Sequence, residues 1–350
     1  MKKIPLLFLA LLLVTFTHAQ HVKVNEKYAN TRQKLDTQKV LQTIAFGSCN
    51  HQDKPQVMWK EVVKNKPDLW IWLGDIIYAD TEDMQVMAKM YSFVKNNIDY
   101  RRLLACAPVI GIWDDHDYGV NDGGKNYPMK DESKRLMFEF LDVPPNAASR
   151  KHEAAYQSFT FGKEGQKIKI ILLDARYYRD DMVKSPDPNK RYEINENGDI
   201  LGEVQWAWLE KELANSDAQI NLIGNGTQVI PTQQGYEKWA NYPKARKRFF
   251  EILQKTKPAM PILLTGDRHM AEISKIELEG LDTPVFEVTS SGITHTWSQK
   301  KEDPNRYRVG KMVIEKNFAL LKIDWSGVTP KVTVEVRGLG NELFLEEQLF

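Results

Sequence analysis

The chain has 350 residues, and its 48 Lys and Arg balance 47 Asp and Glu to a net charge of +1. That balance offers no bulk field for a polyanion and excludes nucleic acid as the main structural partner. Two cysteines, Cys49 and Cys106, are too few for a disulfide-built scaffold, so stability has to come from a hydrophobic core, in one large α/β domain or two small ones.

At the N-terminus, Lys2 and Lys3 precede an apolar stretch over residues 4–16 and then Thr17-His18-Ala19. A basic start, an apolar middle and small residues at the −3 and −1 positions predict a cleavable signal peptide over residues 1–19. The protein is therefore expected to be exported, periplasmic or extracellular. The apolar stretch falls short of the roughly 20 residues that a membrane span needs, so no membrane anchor is expected. Residues 20–38 form a polar segment, and 39–345 are expected to fold as a single domain.

From residue 43 onward, five short apolar runs each stop abruptly at a polar group. The run at 43–49 ends in Cys49 and that at 69–75 in Asp75. The run at 109–117 ends in Asp114-Asp115-His116-Asp117, that at 168–176 in Asp174 and Arg176, and that at 261–269 in Asp267 and His269. Such runs read as strands buried on both faces. Ligands of open α/β sheets sit outside the carboxyl ends of their strands, so these groups are expected to converge on one crevice. Carboxylates that close together repel unless a cation neutralises them, and the pattern calls for metal.

Helical periodicity falls at residues 57–64, 81–94, 131–141, 203–213 and 244–253. In the fourth, Val204, Trp208 and Leu209 share a face suited to packing on a sheet. Beyond Asp267 the pattern is strand-like, at 273–278, 285–289, 318–324 and 331–336. Alternating β and α units followed by strands predict two packed sheets with helices outside, not one doubly wound sheet. The loops at 118–129, 179–202 and 299–307 are long and polar, as functional or mobile loops are.

The chemistry of each cluster can be read alone. Asp75 can bridge two cations, and Tyr78 three residues on offers a phenolate, which suits a strongly acidic metal such as ferric iron. Cys49 offers a thiolate to the same centre; the alternatives are a small buried hydrophobe or a Cys49–Cys106 disulfide. Asp267 and His269 put an oxygen and a nitrogen ligand on one strand end. Arg176 supplies a fork suited to phosphate oxygens. Cys106 reads as a helix core residue without a role, and His295 as a residue that lines the pocket or serves structure. Gly119-Val-Asn-Asp-Gly-Gly-Lys125 resembles the start of a P-loop, but Tyr127-Pro128 prevents the helix that a P-loop needs. No Gly-x-Ser-x-Gly elbow and no Cys-x5-Arg loop is present.

Six stretches in order resemble the PhoD-like metallophosphatases, the alkaline phosphatase D family. They are Phe46-Gly-Ser-Cys-Asn50, Gly74-Asp-Ile-Ile-Tyr78, Trp113-Asp-Asp-His-Asp-Tyr-Gly-Val-Asn-Asp122, Leu173-Asp-Ala-Arg176, Asn225-Gly-Thr-Gln228 and Gly266-Asp-Arg-His269. The resemblance implies the α/β metallophosphatase fold shared with purple acid phosphatases and calcineurin-like enzymes, a four-layer αββα sandwich of two mixed sheets. It implies Fe3+ plus a divalent cation, Ca2+ before Zn2+, Mn2+ or Mg2+. Cys49, Asp75, Tyr78 and His269 would hold the iron, with Asp75 bridging. Asp115 and Asp267 would hold the second metal, completed by Asp114 or Gln228. His116 and Arg176 would face the phosphate, and Asn50, Asp174 and His295 would stand near metal or substrate. The implied activity is hydrolysis of a small phosphorylated substrate by a hydroxide held between the cations. The rivals are a phosphodiesterase or phospholipase-type hydrolase on the same scaffold, and a non-catalytic phosphate-binding protein. Larger PhoD enzymes carry an N-terminal β domain and a longer C-terminal segment. The short stretch before residue 39 and the short tail after Leu345 are expected to leave room for neither.

Overall fold

A computed structural model describes residues 22–27, 32–187, 190–297 and 303–350. The expected signal peptide and part of the 299–307 loop lie outside the described residues. One sheet of six strands has the order β13-β12-β11-β1-β2-β3. Its β1 (Thr43–Gly47), β2 (Leu69–Leu73) and β3 (Val109–Ile112) run parallel. The remaining three, β11 (Phe318–Asp324), β12 (Lys331–Arg337) and β13 (Leu343–Gln348), continue the sheet antiparallel from β1. The second sheet has seven strands, whose parallel part is β5 (Ile168–Leu172), β6 (Ile220–Gly224), β7 (Pro261–Thr265) and β9 (Val285–Ser290). Antiparallel partners complete it, with β4 (Gln157–Phe161) beside β5, β8 (Ala271–Ile276) beside β9, and β10 (Arg308–Val313) at the far edge.

Strand alternation decides the layering. Along β5, β6 and β7, Ile170, Leu172, Leu222, Ile262 and Leu264 join Phe46 and Ile71 in the core that includes the space between the sheets. Their neighbours Ile171, Ile223 and Leu263 point the other way, to Leu209 of α6 (Gly202–Ala214) and Phe249 and Leu253 of α7 (Pro243–Thr256). On β2, Trp70 and Trp72 turn outward against Trp59 of α1 (Met58–Lys64), with ring centroids 5.2 and 5.1 Å apart, and Trp72 donates to Tyr100 of α3 (Ile98–Cys106) at 3.1 Å. Leu73 turns inward; a Cβ on Gly224 of the facing sheet would lie 3.0 Å from its Cδ2. Helix α2 (Met84–Asn96) and α5 (Lys130–Phe140) flank α3 through Tyr91, Phe140 and Tyr100. The result is the expected αββα sandwich of two mixed sheets.

Four strands went unpredicted: β4, β6, β10 and β13. Strands β4, β10 and β13 lie at sheet edges, and their exposed positions break the apolar run. Strand β6 is interior and buried throughout, but Asn221 interrupts its short run INLIG. Strand β13 carries the sheet past residue 345, to Gln348. The predicted inner face of α6 is out of phase: Val204 is 62% exposed, while Gln205, Trp206, Leu209 and Leu213 are buried. Trp208 is half-buried, with its ring 4.5 Å from that of Tyr156. Cys106 closes α3 partly exposed instead of in the core, and both cysteines are free.

Candidate metal centre

The parallel strands of both sheets end on the same side, and the site forms in the loops that leave them. Four of the expected ligands sit in left-handed backbone: Cys49 (φ 61°), Asp75 (φ 49°), Asp267 (φ 64°) and His269 (φ 52°). Such a conformation costs a non-glycine residue of order 1–3 kcal/mol, and it persists because the surroundings over-determine it. Glycine is required beside them. A Cβ on Gly74 would fall 2.3 Å from that of Asp114, and one on Gly226 would fall 2.1 Å from the Asp114 carboxyl carbon. Asp117 ties two loops together by accepting the N–H groups of Asp75, Ile76 and Asp114 at 3.2, 3.1 and 2.7 Å.

The side chains meet in overlapping groups. The Cys49 thiol donates to Asp75 Oδ2 at 3.3 Å, and the Tyr78 hydroxyl donates to the same oxygen at 3.1 Å. Tyr78 also lies 3.0 Å from His269 Nε2. Ligand atoms of Cys49, Asp75 and His269 lie within 4.8 Å of one another, and the same holds for Asp75, Asp115 and His116, and for Asp114, Asp115 and Asp267. Asp75 thus belongs to the first two groups, and Asp115 links the second of them to Asp114 and Asp267. Within the site, two carboxylate oxygens, Asp75 Oδ1 and Asp114 Oδ2, are buried without a hydrogen-bond partner.

Burial pushes the carboxyls of Asp75 and Asp114 well above the usual range, and neighbouring carboxylates add to it. Burial, with Asp115 next, lifts Asp267 to about 7. The Cys49 thiol and Tyr78 phenol are raised by burial and by Asp75. Without an added positive charge these groups hold protons; a cation would take the protons' place. His269 is drawn down to about 4 by burial and by His116, so it offers a neutral nitrogen. Thiolate, phenolate, imidazole and shared carboxylate are a donor set that fits a trivalent iron, and the oxygen-only group of Asp114, Asp115 and Asp267 fits a hard divalent cation. Burial alone would lower His116, but Asp115, Asp75 and the Asp80 hydrogen bond raise it to about 11, so the imidazole carries a charge.

Other expected residues stand differently. Arg176 is fully buried, and its guanidinium pairs with Asp114 at 2.6 Å and with Glu237 at 2.8 Å. It neutralises the carboxylate cluster from behind and presents no open fork to a phosphate, a correction to the expected role. Asp174 is also corrected: its oxygens accept from Trp113 Nε1 and the backbone N–H groups of Ala155, Arg176 and Tyr177, which leaves it holding the loop. Gln228 donates to Glu272 and Thr289, and Asn50 donates to the Ile76 carbonyl; the carbonyl oxygen of each side chain is buried without a partner. His295, half-buried like His269, packs edge-on against it with ring centroids 4.4 Å apart.

Sequence reasoning missed several residues. Asp80, also left-handed (φ 41°), accepts from His116 Nδ1 at 2.7 Å and sets the ring's direction. Glu237 balances Arg176 and Arg179, and nothing around it in the sequence signalled this. Asp122 lay within a quoted motif but had no assigned part, and His51 stacks on Tyr78 at 5.1 Å.

A two-sheet αββα frame with carboxylates, imidazoles and a thiol gathered at its parallel strand ends defines a metallophosphatase. No curated protein matches the chain. Among solved structures, PhoD is similar at a TM-score of 0.70 and 18% identity, over 89% of this chain and 70% of that one. A purple acid phosphatase from yellow lupin (Lupinus luteus) seeds is similar at 0.62 and 14% identity, over 90% of this chain and 54% of that one. A dimetal phosphatase from Danio rerio is similar at 0.54 and 12%, over 89% of this chain and 99% of that one. The PhoD-like phosphatase family model matches residues 44–328, and the chain belongs to that family. It is a phosphoric ester hydrolase.

Proposed function

We propose that this chain is an exported phosphatase that uses an iron and a divalent cation, calcium first, to hydrolyse small phosphate esters. The observation that carries this reading is the convergence of Cys49, Tyr78 and His269 on Asp75, a carboxylate shared with the group of Asp115 and His116. Cys49, Asp75, Tyr78 and His269 would hold the iron, and Asp75, Asp114, Asp115 and Asp267 the divalent cation. When bound, the cations supply Lewis-acid activation of water and of the phosphoryl oxygens. The protein's own part is orientation and charge. His116, held by Asp80 and resting on the Tyr78 ring at 4.1 Å, presents a charged imidazole that donates a proton toward the leaving oxygen. Arg176 and Arg179 offset the buried carboxylates, so that the cluster survives without collapse of its charge. Export rests on the basic and apolar leader at residues 1–19.

Elemental analysis of the purified protein, run beside mono- and diester chromogenic substrates with and without chelator, tests the reading. Iron plus a second metal, with turnover that chelation abolishes, is expected. A metal-free protein with normal rates overturns it, and diester turnover without monoester turnover moves it to the phosphodiesterase reading.

A further inference from the structure

We propose that Arg191, delivered by the long loop after β5, is the arginine that binds the substrate's phosphoryl oxygens. The inference rests on the hydrolase reading above and names the group that fills the place Arg176 does not. Segments 183–185 and 191–193 of that loop pair as a short antiparallel ribbon: Glu193 N donates to Val183 O at 2.7 Å, Ser185 N donates to Arg191 O at 3.1 Å, and Lys184 bridges to Tyr192. Arg191 N also donates to Gly235 O at 3.3 Å, which pins the ribbon to the segment after β6.

The ribbon's two consecutive side chains land on one carboxylate. The Tyr192 hydroxyl donates to Asp122 Oδ2, and Arg191 Nη2 lies 2.6 Å from the same oxygen. Asp122 is part of the site: its N–H donates to Asp115 Oδ2 at 2.7 Å, and its carboxylate lies within 4.8 Å of those of Asp115 and Glu237. The Arg191 guanidinium is therefore one residue removed from Asp115. Burial lowers its pKa, but Asp122 first and Asp267 among others outweigh this.

What separates Arg191 from the other arginines here is access. Its side chain is 48% exposed, against 0% for Arg176, 2% for Arg179 and 2% for Arg268, which pairs with Asp303. Nε donates to Tyr192 at 3.1 Å, Nη2 faces Asp122, and Nη1 makes no hydrogen bond among the described residues. One edge is held by protein and the other is turned to solvent beside the carboxylates. A guanidinium fixed in that way is pre-aimed at anionic oxygens.

The metal-loaded full chain tests this in the variants Arg191→Ala and Arg191→Lys. Affinity for inorganic phosphate is measured by calorimetry, kinetics with 4-nitrophenyl phosphate, and metal content by elemental analysis. In Arg191→Ala, phosphate affinity is expected to fall at least about tenfold, and kcat/KM by about 10²-fold, mainly through KM, with metal content unchanged. Arg191→Lys recovers part of the loss, and added guanidinium ion restores Arg191→Ala, which a latch holding only the loop would not show. Unchanged phosphate affinity, or a loss that follows loss of metal, overturns the proposal. A wild type that binds phosphate through Arg191 yet turns over no ester supports this assignment and overturns the hydrolase reading instead.

Discussion

At the scale of residues, the ligands and the groups that aim them respond differently to substitution. Asp75 belongs to the group of Cys49 and His269 and to the group of Asp115 and His116, so Asp75→Asn is expected to lose metal and activity together. His116→Ala is expected to keep its metal, because the Cys49, Asp75 and His269 group and the Asp114, Asp115 and Asp267 group both stay intact without it, but to lose about 10²–10⁴-fold in kcat. Elemental analysis and steady-state rates of the two variants check this; a metal-replete Asp75→Asn with normal rates would refute the assignment. Asp80 acts only through His116, which fixes a further expectation. Asp80→Ala should lower kcat less than His116→Ala does, and the double variant should be no slower than His116→Ala alone. Additive losses in that cycle would give Asp80 a separate part. The ligands were legible because each ends an apolar run, where a charge has no packing reason to be. Asp80 and Glu237 were not, since a polar residue in a polar loop carries no such contrast. Arg176 was misread for a related reason: sequence shows a guanidinium near a strand end but not which carboxylates already surround it.

At the scale of elements, most strands buried on both faces and the amphipathic helices were readable, whereas strands with one exposed side were not, nor was the short buried β6, whose run Asn221 interrupts. β2 reads LWIWL with every residue buried, whereas β13 alternates exposed and half-buried positions among charges. Packing of α2 against α5 offers a test of its own. Lys95 on α2 is 2% exposed and donates to the Glu139 carbonyl at 2.8 Å and to Asp142 at 2.7 Å. Burial, only partly offset by Glu26, lowers it to about 8. The folded state then binds this proton less tightly than the unfolded chain does. Stability is diminished while Lys95 is charged and recovers as pH rises through about 8 toward the unfolded value. The wild type is expected to gain about 2 kcal/mol relative to Lys95→Met between pH 8 and 9.5, in urea unfolding of the two proteins side by side. Parallel curves for both would show that Lys95 is not desolvated in solution.

For the whole molecule, the two sheets bring chain segments more than 200 residues apart to one point, with the Cys49 thiol 3.6 Å from the Asp267 carbonyl. The order of motifs along the chain announced that convergence, but the charge balance at its centre could be seen only in three dimensions. That balance ties metal to folding. Asp75 and Asp114 are raised well above the carboxylate range by burial, and Asp267 to about 7. A carboxyl whose folded pKa is raised gives stability that is present below the unfolded value and is lost as pH rises through the folded one. The chelated protein should therefore weaken between about pH 4 and pH 7, by about 2–4 kcal/mol for Asp267 alone, with Asp75 and Asp114 adding in the same direction. A bound cation replaces the protons and removes the slope, while stabilising the native state in proportion to the logarithm of its concentration over its dissociation constant. Urea unfolding of loaded and chelated protein at pH 5 and pH 7.5 measures both effects. The gap between the two forms should widen with pH. An equal gap at both values would mean that these carboxyls are already ionised without metal, and that the centre is balanced by the buried arginines instead.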